Sequence, residues 1–493
     1  MFGGISFGGL GSGLDTGAII DALVNVERIP INMLNGRKAT AEQKISLVGT
    51  LEGHVKSLRE KASGLATLSD FLSFEASNSN EGLIEVSASS TAASGSHSMV
   101  VQQVLATDRW AFNGVLDTTT DLATSAGTSV SFDYEGANYA FSFAASTGTS
   151  LDAIANAINT GPNGGVTAAV MQTGTATSPD GYQLVITAGD GGEARQISNI
   201  TSTVEGLSID GTPGGANNIT VGADALAVID GLQFQRESND FSDVLEGVSL
   251  QVLSADPGET VTFTVGPDKE AIKGKIKEFT EAYNEVVTFI NAQSSYSEEG
   301  GAGGGLFGDN ILRTVQRSMY NTIFGQVGSG STPGAFDTLG IIGIKVDNVG
   351  MLTVDDATLD AKMDEDLDAV ADLFADTDGF DNGGAVVGDP NYYVDTTPDT
   401  GLADDLMREL DRLTAGFADS NGKSLKGIFD TRKDALQDIV SRIDDDIETK
   451  EYRITQFEDN LIRRFAALES LMANLNAQGT FLSASIASQS QGN

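Results

Sequence analysis

Few side chains in this sequence could act as nucleophiles or as general acids and bases near neutral pH. The 493 residues include no cysteine and only two histidines, His54 and His97. Thiol catalysis, disulfides and zinc sites built from Cys and His ligands are therefore excluded, and neither histidine has a partner that the sequence makes visible. Trp110, the only tryptophan, is more typical of a core or interface anchor than of a sugar-binding platform.

Two short motifs begin like binding loops but do not complete them. Gly303-Gly304-Gly305-Leu306-Phe307-Gly308 matches GxGxxG, yet Ser-Tyr-Ser-Glu-Glu precedes it where a dinucleotide fold needs a buried strand. Asp376-Thr377-Asp378-Gly379 resembles a calcium loop, but a third oxygen ligand before the glycine and a glutamate about six residues after it are missing. Residues 351–400 hold 14 acidic side chains and one lysine, which favours a solvated face over a metal site. We expect no cofactor and no metal ion.

The charge of the chain disfavours another class of partners. Lys plus Arg is 29 and Asp plus Glu is 69, so the formal net charge is −40 at pH 7. Such a chain repels phosphate backbones and anionic lipids, so nucleic acid is not an expected partner. Membrane insertion is not expected either, because no run approaches 18 apolar residues, and the basic start of a secretory signal peptide is missing. Hydrophobic residues make up 40%, enough to bury cores in about three domains.

The N-terminal region predicts a flexible start followed by helices. Seven of the first 17 residues are glycines, which favours a flexible end. Asp15 or Thr16 can cap a helix that breaks at Pro30, where a second helix follows. Further along, apolar residues alternate at spacings of three and four, which predicts a narrow coiled-coil seam that needs a helical partner. The seam residues are Val48, Leu51, Val55 and Leu58.

The C-terminal region predicts one long helix that keeps a single heptad register from Leu436 onward. One row of seam positions is apolar throughout: Val440, Ile447, Ile454, Leu461, Leu468, Leu475 and Leu482. The other row turns polar at Lys450, Arg464 and Gln478. Two interpretations of these polar residues stay open. They could fix the register and the oligomeric state of a helix assembly, as polar seam residues do. Alternatively, their long side chains extend into solvent from a partly exposed seam. We expect this helix to pair with the N-terminal helix and with neighbouring copies.

Between the two ends the hydrophobic period changes to two, which predicts sheet. Val130 to Tyr134 and Tyr139 to Phe143 read as a hairpin across Glu135-Gly136, and residues 108–205 read as an inserted module. Helices resume at Lys269 and from Asp309 to Phe324; a hairpin between Leu339 and Val354 and one helix from Leu359 to Phe374 follow.

These elements predict a multidomain α+β fold with terminal helices forming coiled-coil legs, a mixed α/β central domain and β-rich outer domains. The predicted boundaries are 1–45 for a flexible segment and leg helix, 46–95 for the first part of the central helical domain, 96–107 and 206–266 for a β-rich outer domain, 108–205 for an inserted β-rich outer domain, 267–435 for the second part of the central domain, and 436–493 for the C-terminal coiled-coil leg helix.

Motifs at both ends resemble one protein family. The opening Ile5-Ser6-Phe7-Gly8-Gly9-Leu10-Gly11-Ser12-Gly13-Leu14-Asp15-Thr16 and the ending Leu475-Asn476-Ala477-Gln478-Gly479-Thr480-Phe481-Leu482 closely resemble the flagellar hook-associated protein 2 family of bacterial filament caps. Residues 153–186 also resemble the small module shared by flagellins and hook proteins.

The resemblance implies a structural capping protein, not an enzyme. It implies that copies of the chain form a homo-oligomeric plate at the distal tip of the bacterial flagellum, where the plate promotes folding and insertion of exported flagellin and prevents its leakage. The implied partners are itself, flagellin and the filament tip, hook-filament junction proteins, a cytoplasmic export chaperone and the flagellar type III export apparatus. The implied location is extracellular, after export without a cleaved signal peptide.

Other functions remain open from the sequence. The β-rich outer modules, residues 96–266, are compatible with a surface adhesin that binds host glycans or mucin. The many carboxylates are compatible with a secreted glycosidase, although aromatic residues at 7% are few for a sugar-binding cleft and no spacing singles out a catalytic pair. If the cap interpretation holds, we hypothesise that Lys450, Arg464 and Gln478 keep helix association weak enough to rearrange as subunits add.

Overall fold

The computed structural model describes residues 15–124, 127–144, 148–174, 181–295, 304–325, 336–386, 389, 391–397, 400–415, 417–418 and 424–490. The helices are α1 Thr16–Ser63, α2 Leu68–Phe71, α3 Leu151–Thr160, α4 Lys269–Ser294, α5 Asn310–Ile323, α6 Asp356–Glu365, α7 Leu367–Phe374, α8 Leu402–Thr414 and α9 Ile428–Ser490. The strands are β1 Phe74–Asn78, β2 Ile84–Ala88, β3 Gly95–Gln103, β4 Thr107–Ala111, β5 Thr128–Tyr134, β6 Ala137–Phe143, β7 Thr167–Gln172, β8 Tyr182–Gly191, β9 Ser198–Ser202, β10 Asn218–Thr220, β11 Ala225–Ile229, β12 Leu232–Arg236, β13 Val248–Val252, β14 Val261–Pro267, β15 Ile344–Val346, β16 Leu352–Val354, β17 Phe417–Ala418 and β18 Ser424–Leu425. The predicted flexible opening, residues 1–14, lies outside the described residues.

The chain divides into two units. One unit contains residues 1–71 and 273–493, and the other contains residues 72–272. The first is mainly helical, with two small hairpins, β15 with β16 and β17 with β18. The second is mainly sheet, and every strand pair in it is antiparallel. The change of hydrophobic period along the sequence therefore corresponds to a real change of architecture.

Helix α1 begins where the sequence predicts but does not break at Pro30. Asp15 caps it, and the Asp15 carboxylate accepts a hydrogen bond of 3.0 Å from the Ala18 N–H. Pro30 lies inside the continuous helix, so the predicted break is wrong. Val24 and Ile31, on either side of Pro30, are both buried in one apolar cluster with Ile454 of α9. Because proline removes one backbone hydrogen bond at a cost of about 3 kcal/mol, packing of both flanks on α9 holds the helix continuous.

The helical unit differs from the prediction in two further places. The predicted helix from Leu359 to Phe374 is two helices, α6 and α7, separated at Asp366. The Asp366 carboxylate accepts a hydrogen bond from the Ala369 N–H, so this residue caps α7 and starts a new helix direction. The predicted hairpin near residues 339–354 is shorter than expected, since its strands begin at Ile344 and end at Val354. Helices α4 and α5 are confirmed.

Two sheets in the second unit share one core. The first is five-stranded, in the order β1-β14-β3-β11-β12, and the second pairs β13 with β2. Alternate side chains of both sheets meet in this core, among them Ile84, Met99, Leu250 and Phe263. Burial alternates along β13 and along β14 from Val261 to Val265, as expected for a sheet with one buried face.

A separate core in this unit lies among β4, β8, β5 and α3. Trp110, Phe132, Ile154 and Ile186 are buried together there. The predicted hairpin is confirmed: β5 pairs with β6 through Glu135 and Gly136, whose φ angles of 50° and 76° are those of a type I′ turn. The predicted start of α3 is also confirmed, since the Ser150 hydroxyl accepts from the Ala153 N–H.

The extent of this module remains a proposal. Strand β10 begins at Asn218, beyond the predicted limit of residue 205, and pairs with β4. Leu207 belongs to the same core as Trp110. We therefore propose that the inserted module runs from about residue 107 to Thr220 rather than ending at residue 205.

A buried carboxylate joins separate segments of the module. Asp108 is 1% exposed. One oxygen accepts from Trp110 Nε1 at 2.7 Å and the Ile197 N–H at 2.8 Å. The other accepts from Asn218 Nδ2 and the Gly222 N–H, each at 3.0 Å. Four donors satisfy the charge, so this carboxylate stabilises the module instead of destabilising it.

We expect Asp108→Asn to destabilise this module by about 3 kcal/mol, because an amide NH₂ would face two donors that the carboxylate now satisfies. Urea unfolding followed by the fluorescence of Trp110, the only tryptophan, measures the change at its source. Asp152→Asn removes the same charge from the exposed first turn of α3 and should change the unfolding free energy by less than about 1 kcal/mol. Equal effects of the two substitutions would contradict the role given to Asp108.

Candidate functional site

The candidate site is the antiparallel pair formed by the two long terminal helices. Lys38 Nζ of α1 lies 2.7 Å from Asp444 Oδ1 of α9, and Glu52 Oε2 lies 2.8 Å from Lys433 Nζ. Residue numbers rise along α1 as they fall along α9, so the helices run in opposite directions. The expectation that the two ends of the chain pair with each other is confirmed.

The apolar part of this pairing is narrow. Val24, Ile31 and Ile454 are buried together, with Ile20 and Ile447 packed at their edge. Burying an aliphatic side chain of this size contributes about 1.5 to 3 kcal/mol, so a few residues hold this stretch of α1 on α9. The contact is thin compared with a domain core and depends on each of these side chains.

A buried ion-paired carboxylate adds polar specificity to the helix pair. Glu52 is 8% exposed and accepts from Lys433 of α9 and, at 2.6 Å, from Lys56 one turn further along α1. Burial alone raises the pKa of Glu52, but the hydrogen bonds from the two lysines outweigh it and hold that pKa below its usual range. Replacing one partner would leave a buried charge unpaired, so these groups fix the register of the two helices.

The predicted seam in the second half of α1 has more partners than one helix. All four seam residues, Val48, Leu51, Val55 and Leu58, are fully buried. Arg59, beside them, donates two hydrogen bonds of 3.0 Å to Asp411 of α8, and Lys61 lies 2.8 Å from Glu278 of α4. The predicted need for a helical partner is confirmed, but the buried face is wider than a two-helix seam because α4, α8 and α9 all contact this half of α1.

The predicted row of α9 divides into a buried part and an exposed part. Val440 and Ile454 are buried, and Ile447, Leu461 and the polar Lys450 are half-buried. Leu468, Leu475 and Leu482 are 45%, 51% and 59% exposed. Arg464 is also exposed. The heptad pattern thus continues well beyond the residues that the chain covers by itself.

The change occurs where α1 begins. Val24 packs beside Ile454, and in antiparallel helices of equal rise Thr16 then falls beside α9 residues near position 462. From Ile462 onward, the large apolar side chains of α9 that the structure describes are mostly exposed. Five of them lie on one side of the helix, and we call these five residues the exposed row: Leu468, Leu471, Leu475, Leu482 and Ile486. Ile462 and Phe481 are exposed on other sides of the helix, and Phe465 and Met472 are half-buried. An exposed apolar surface of this length is typical of an interaction site.

The sequence interpretation missed part of the α1 side of the pair. Val24 and Ile31 are buried, Lys38 forms an ion pair, and Glu52 is buried and charged. These residues lie seven apart or a multiple of seven apart, so they occupy one heptad position. The signal was present but was hidden by Pro30 and by the two charged residues that break the apolar pattern.

The described histidines have partners that do not form a catalytic triad. His97 Nδ1 lies 2.7 Å from Asp230 Oδ2, and the Ser98 hydroxyl donates to Asp230 Oδ1. Because the hydroxyl bonds to the carboxylate and not to the imidazole, His97 is not placed to activate Ser98. His54 lies 3.3 Å from Glu285 and packs against the ring of Phe289. Trp110 is fully buried and donates to Asp108, so it is a core anchor as predicted.

The structure describes part of the first loop motif, the GxGxxG match at residues 303–308. Gly303 lies outside the described residues, while residues 304–308 form turns between α4 and α5. Among the described residues between α4 and α5 there is no strand of the kind that a dinucleotide fold requires, which favours the interpretation as a helix joint.

Asp376 of the second motif lies with Asp395 and Asp404, and carboxylate oxygens of the three residues lie within 4.8 Å of one another. These residues could hold a metal ion. Their own hydrogen bonds already satisfy much of the cluster: Gly379 N–H donates to Asp376, Thr397 donates to Asp395, and Arg408 pairs with Asp404.

The three carboxyl groups of this cluster have pKa values that are shifted in different directions. Burial, followed by the charges of Asp404 and Asp395, raises the pKa of Asp376 to about 6, and the Gly379 N–H opposes the rise. Burial also raises the pKa of Asp404, with Arg408 opposing it. At Asp395 the hydrogen bonds from Thr397 and the Asp381 N–H outweigh burial and lower the pKa. Partial protonation of Asp376 near pH 6 therefore lowers the total negative charge of the cluster.

Within the described part of the chain, each helix is too short or too polar to cross a bilayer.

Two family models match most of the sequence. The flagellar hook-associated protein 2 N-terminus model matches residues 12–108, and the flagellar hook-associated protein 2 C-terminus model matches residues 222–477. The matches include α1, most of α9 and the core shared by the first two sheets. Residues 109–221, which contain the second core, lie between the two matches.

Similar proteins cover nearly the full length of the chain. The B-type flagellar hook-associated protein 2 of Pseudomonas aeruginosa is 25% identical, over 98% of this chain and 98% of its own. The flagellar hook-associated protein 2 of Aeromonas caviae is 23% identical, over 97% of each chain. A crystal structure of the flagellar cap protein FliD D1-D2-D3 domains from Escherichia coli superposes with a TM-score of 0.54 at 21% identity, covering 79% of this chain and 99% of that one. The predicted multidomain α+β fold is confirmed.

We expect Ile454→Asp to release the start of α1 from α9, because a carboxylate would enter a cluster held by only a few apolar side chains. Amide hydrogen exchange in residues 16–31 should accelerate at least tenfold, while exchange in residues 72–272 stays unchanged. Leu468→Asp is the matched control, since it occupies the same heptad row but is already exposed. Equal acceleration by both variants would show that the helix pair is not the contact described above.

We expect Asp376→Asn to stabilise the protein at pH 7 by about 2 kcal/mol and to have little effect near pH 4. The raised pKa means that the folded state holds a proton between about pH 4 and 6 that the unfolded state has released, so wild-type stability from this group falls as pH rises through that window. Urea unfolding at several pH values measures the difference between variant and wild type.

Asp152→Asn, in the first turn of α3, controls for the loss of one carboxylate, because Asp152 is exposed and is not among the charges that act on Asp376. Its effect on the unfolding free energy should stay below about 1 kcal/mol at each pH. An effect of Asp376→Asn that does not grow between pH 4 and pH 7 would contradict the raised pKa.

Proposed function

This chain belongs to the flagellar hook-associated protein 2 family, and from that membership we propose that it caps the distal end of a bacterial flagellar filament. Several copies assemble into a plate, and the plate promotes the folding and insertion of exported flagellin and prevents its leakage. The role is structural and involves no catalytic step. The names of the relatives described above refer to the flagellar hook and cap, so the adhesin interpretation is not carried forward.

The observation that carries the proposal is the family match at both ends of the chain together with the exposed row on α9. Within the described residues, no other segment covers these five apolar side chains, although the heptad pattern that contains several of them is the pattern of a helix interface. A cap needs such a surface, because it must hold on to neighbouring copies and to the filament tip. We therefore assign the exposed row to assembly, because the described part of the chain does not cover it.

The same helix supports a contact that can rearrange. Lys450 and Arg464 interrupt the second row of α9, and polar seam residues weaken a helix interface while they fix its register. A cap that stays attached while subunits are added below it requires many weak contacts rather than one deep interface. The interrupted row and the unbroken row together provide such a contact.

The remaining partners follow from the proposed role. Flagellin and hook-filament junction proteins are the neighbours of a cap at different stages of growth. Export proceeds through the flagellar type III apparatus, with a cytoplasmic chaperone that covers the exposed row before export. The mature location is extracellular, at the filament tip.

We expect cells that lack this protein to carry short or absent filaments and to release flagellin into the medium. The full-length gene should restore filaments, whereas a chain with Leu475→Asp and Leu482→Asp should not, because two charges would interrupt the exposed row. Electron microscopy of the cells and flagellin in the culture supernatant measure both effects.

Ala473→Asp controls for an added charge on the same helix, since Ala473 is exposed on the face opposite Leu475. It should restore filaments. Normal filaments in the deletion strain would refute the cap function, and restoration by the Leu475→Asp, Leu482→Asp chain would refute the role of the exposed row.

A further inference from the structure

Helices α5 and α8 form a basic groove in a strongly acidic chain. The groove has a volume of about 680 Å³ and its charged lining consists of Arg313 and Arg317 of α5 with Glu409 and Arg412 of α8. Asn310 and Asn321 add amide groups to the same surface. Three arginines in one groove are unusual for a protein of net charge −40, so the groove favours an anionic ligand.

Two of the three arginines are available to such a ligand. Arg412 donates to both oxygens of Glu409, at 2.6 and 2.5 Å, and is neutralised. Arg313 and Arg317 are exposed, lie one helical turn apart, and have no carboxylate within ion-pair distance in the part of the chain that the structure describes. Side chains four residues apart on a helix present their charges to the same side. They offer paired guanidinium groups suited to carboxylates.

The same chain carries a matching acidic surface. Asp445 and Glu448 of α9 are exposed, and no described lysine or arginine forms an ion pair with them. They lie three residues apart on one side of α9, with Asp445 roughly opposite the buried Val440 and Ile447 and Glu448 at the flank. Their spacing of about one turn is similar to that of Arg313 and Arg317. We call these two carboxylates the acidic face.

One chain cannot bring its acidic face to its own groove. Arg432 of α9 contacts Asp309, which is adjacent to Asn310 in the groove. Asp445 lies 13 residues further along the same helix, which is a distance of about 20 Å. The helix therefore holds the acidic face away from the groove of the same chain, so the acidic face can reach a groove only on another copy.

We propose that the groove between α5 and α8 binds the acidic face of α9 from a second copy of this chain. The proposal rests on the assembly put forward above and identifies which surfaces of neighbouring copies meet. Groove and acidic face are different surfaces, so the contact is heterologous and repeats from copy to copy, which closes into a ring when the rotation permits. Each copy then contributes its groove to one neighbour and its acidic face to another.

The nature of the contact determines how it responds to salt. Arginine–carboxylate pairs at a surface are screened by ions, and the screening length falls to about 8 Å at physiological ionic strength. The charge pairing fixes which surfaces meet, while the exposed row supplies apolar burial. This division matches a contact that must be specific without being permanent.

The experiment is charge reversal followed by charge exchange in the full chain. Arg313→Glu with Arg317→Glu reverses the groove, and Asp445→Lys with Glu448→Lys reverses the acidic face. Each pair alone should raise the dissociation constant of the assembly at least tenfold, measured by sedimentation velocity at 50 mM salt. The chain with all four substitutions should return to within threefold of wild type, because the exchanged charges again attract each other.

The control reverses two other exposed cations, Arg109→Glu and Lys345→Glu, and adds the same negative charge elsewhere. Circular dichroism verifies that each variant is folded, and all four residues exchanged in the test are exposed, so folding is expected to be retained. Restoration in the fourfold variant, with the control assembling like wild type, supports the proposal.

Three results overturn it. Wild-type assembly in the groove variant means that the groove is not used. Weakened assembly that the fourfold variant does not restore means that the groove binds a different anion. A wild-type chain that stays monomeric at all concentrations refutes the proposed assembly itself, and with it this contact, so the two failures are distinguished by the behaviour of the unmodified protein.

Discussion

The pairing of α1 with α9 is the contact on which the helical unit depends. It joins residues near the two ends of the chain, and it does so through a thin line of apolar side chains and two ion pairs. A contact of this kind needs both helices to be long and continuous. That requirement explains why α1 passes through Pro30 without a break, since a break there would separate Val24 from Ile31 and halve the apolar contact with α9.

The same constraint divides the heptad row of α9 by function. The part opposite α1 is covered within the chain and stabilises the unit, whereas the part beyond it is exposed and available to other molecules. No change in sequence character marks the boundary, because Ile454 and Leu468 occupy the same heptad position. Among the described residues, the start of α1 at Thr16 sets it. In the proposed assembly, one helix of the pair extends past its partner and offers its uncovered part to other copies, and the acidic face and the basic groove give that contact a direction.

The polar groups of the molecule serve structure more than chemistry. Asp108 joins strands and loops through four hydrogen bonds, Glu52 fixes the register of two helices, and Asp230 holds both His97 and Ser98 in place. Asp108 and Glu52 are buried and Asp230 is exposed, and each accepts from at least one donor that is distant in sequence. Pairing with donors removes most of the cost of burying Asp108 and Glu52.

The sequence by itself determined the fold class of the molecule and its long C-terminal heptad helix. Heptad spacing predicted α9 and its seam, the period of two predicted the hairpin at Glu135-Gly136, and the cap residues Asp15 and Ser150 predicted two helix starts. Such features depend on residues within a few turns or strands of one another, so local patterns are sufficient to find them. The absence of cysteine, the scarcity of histidine and the terminal motifs pointed to a structural family.

Tertiary structure decided the rest. Only the folded chain shows that α1 has partners on several sides, that Pro30 is tolerated, that Asp366 separates two helices, and that Asp376, Asp395 and Asp404 converge. The groove between α5 and α8 joins residues almost 100 positions apart. The physical reason is common to all of these, because the burial and the electrostatic environment of a residue are set by neighbours distant in sequence. A heptad row has the same sequence pattern whether its partner helix lies within the chain or in another molecule.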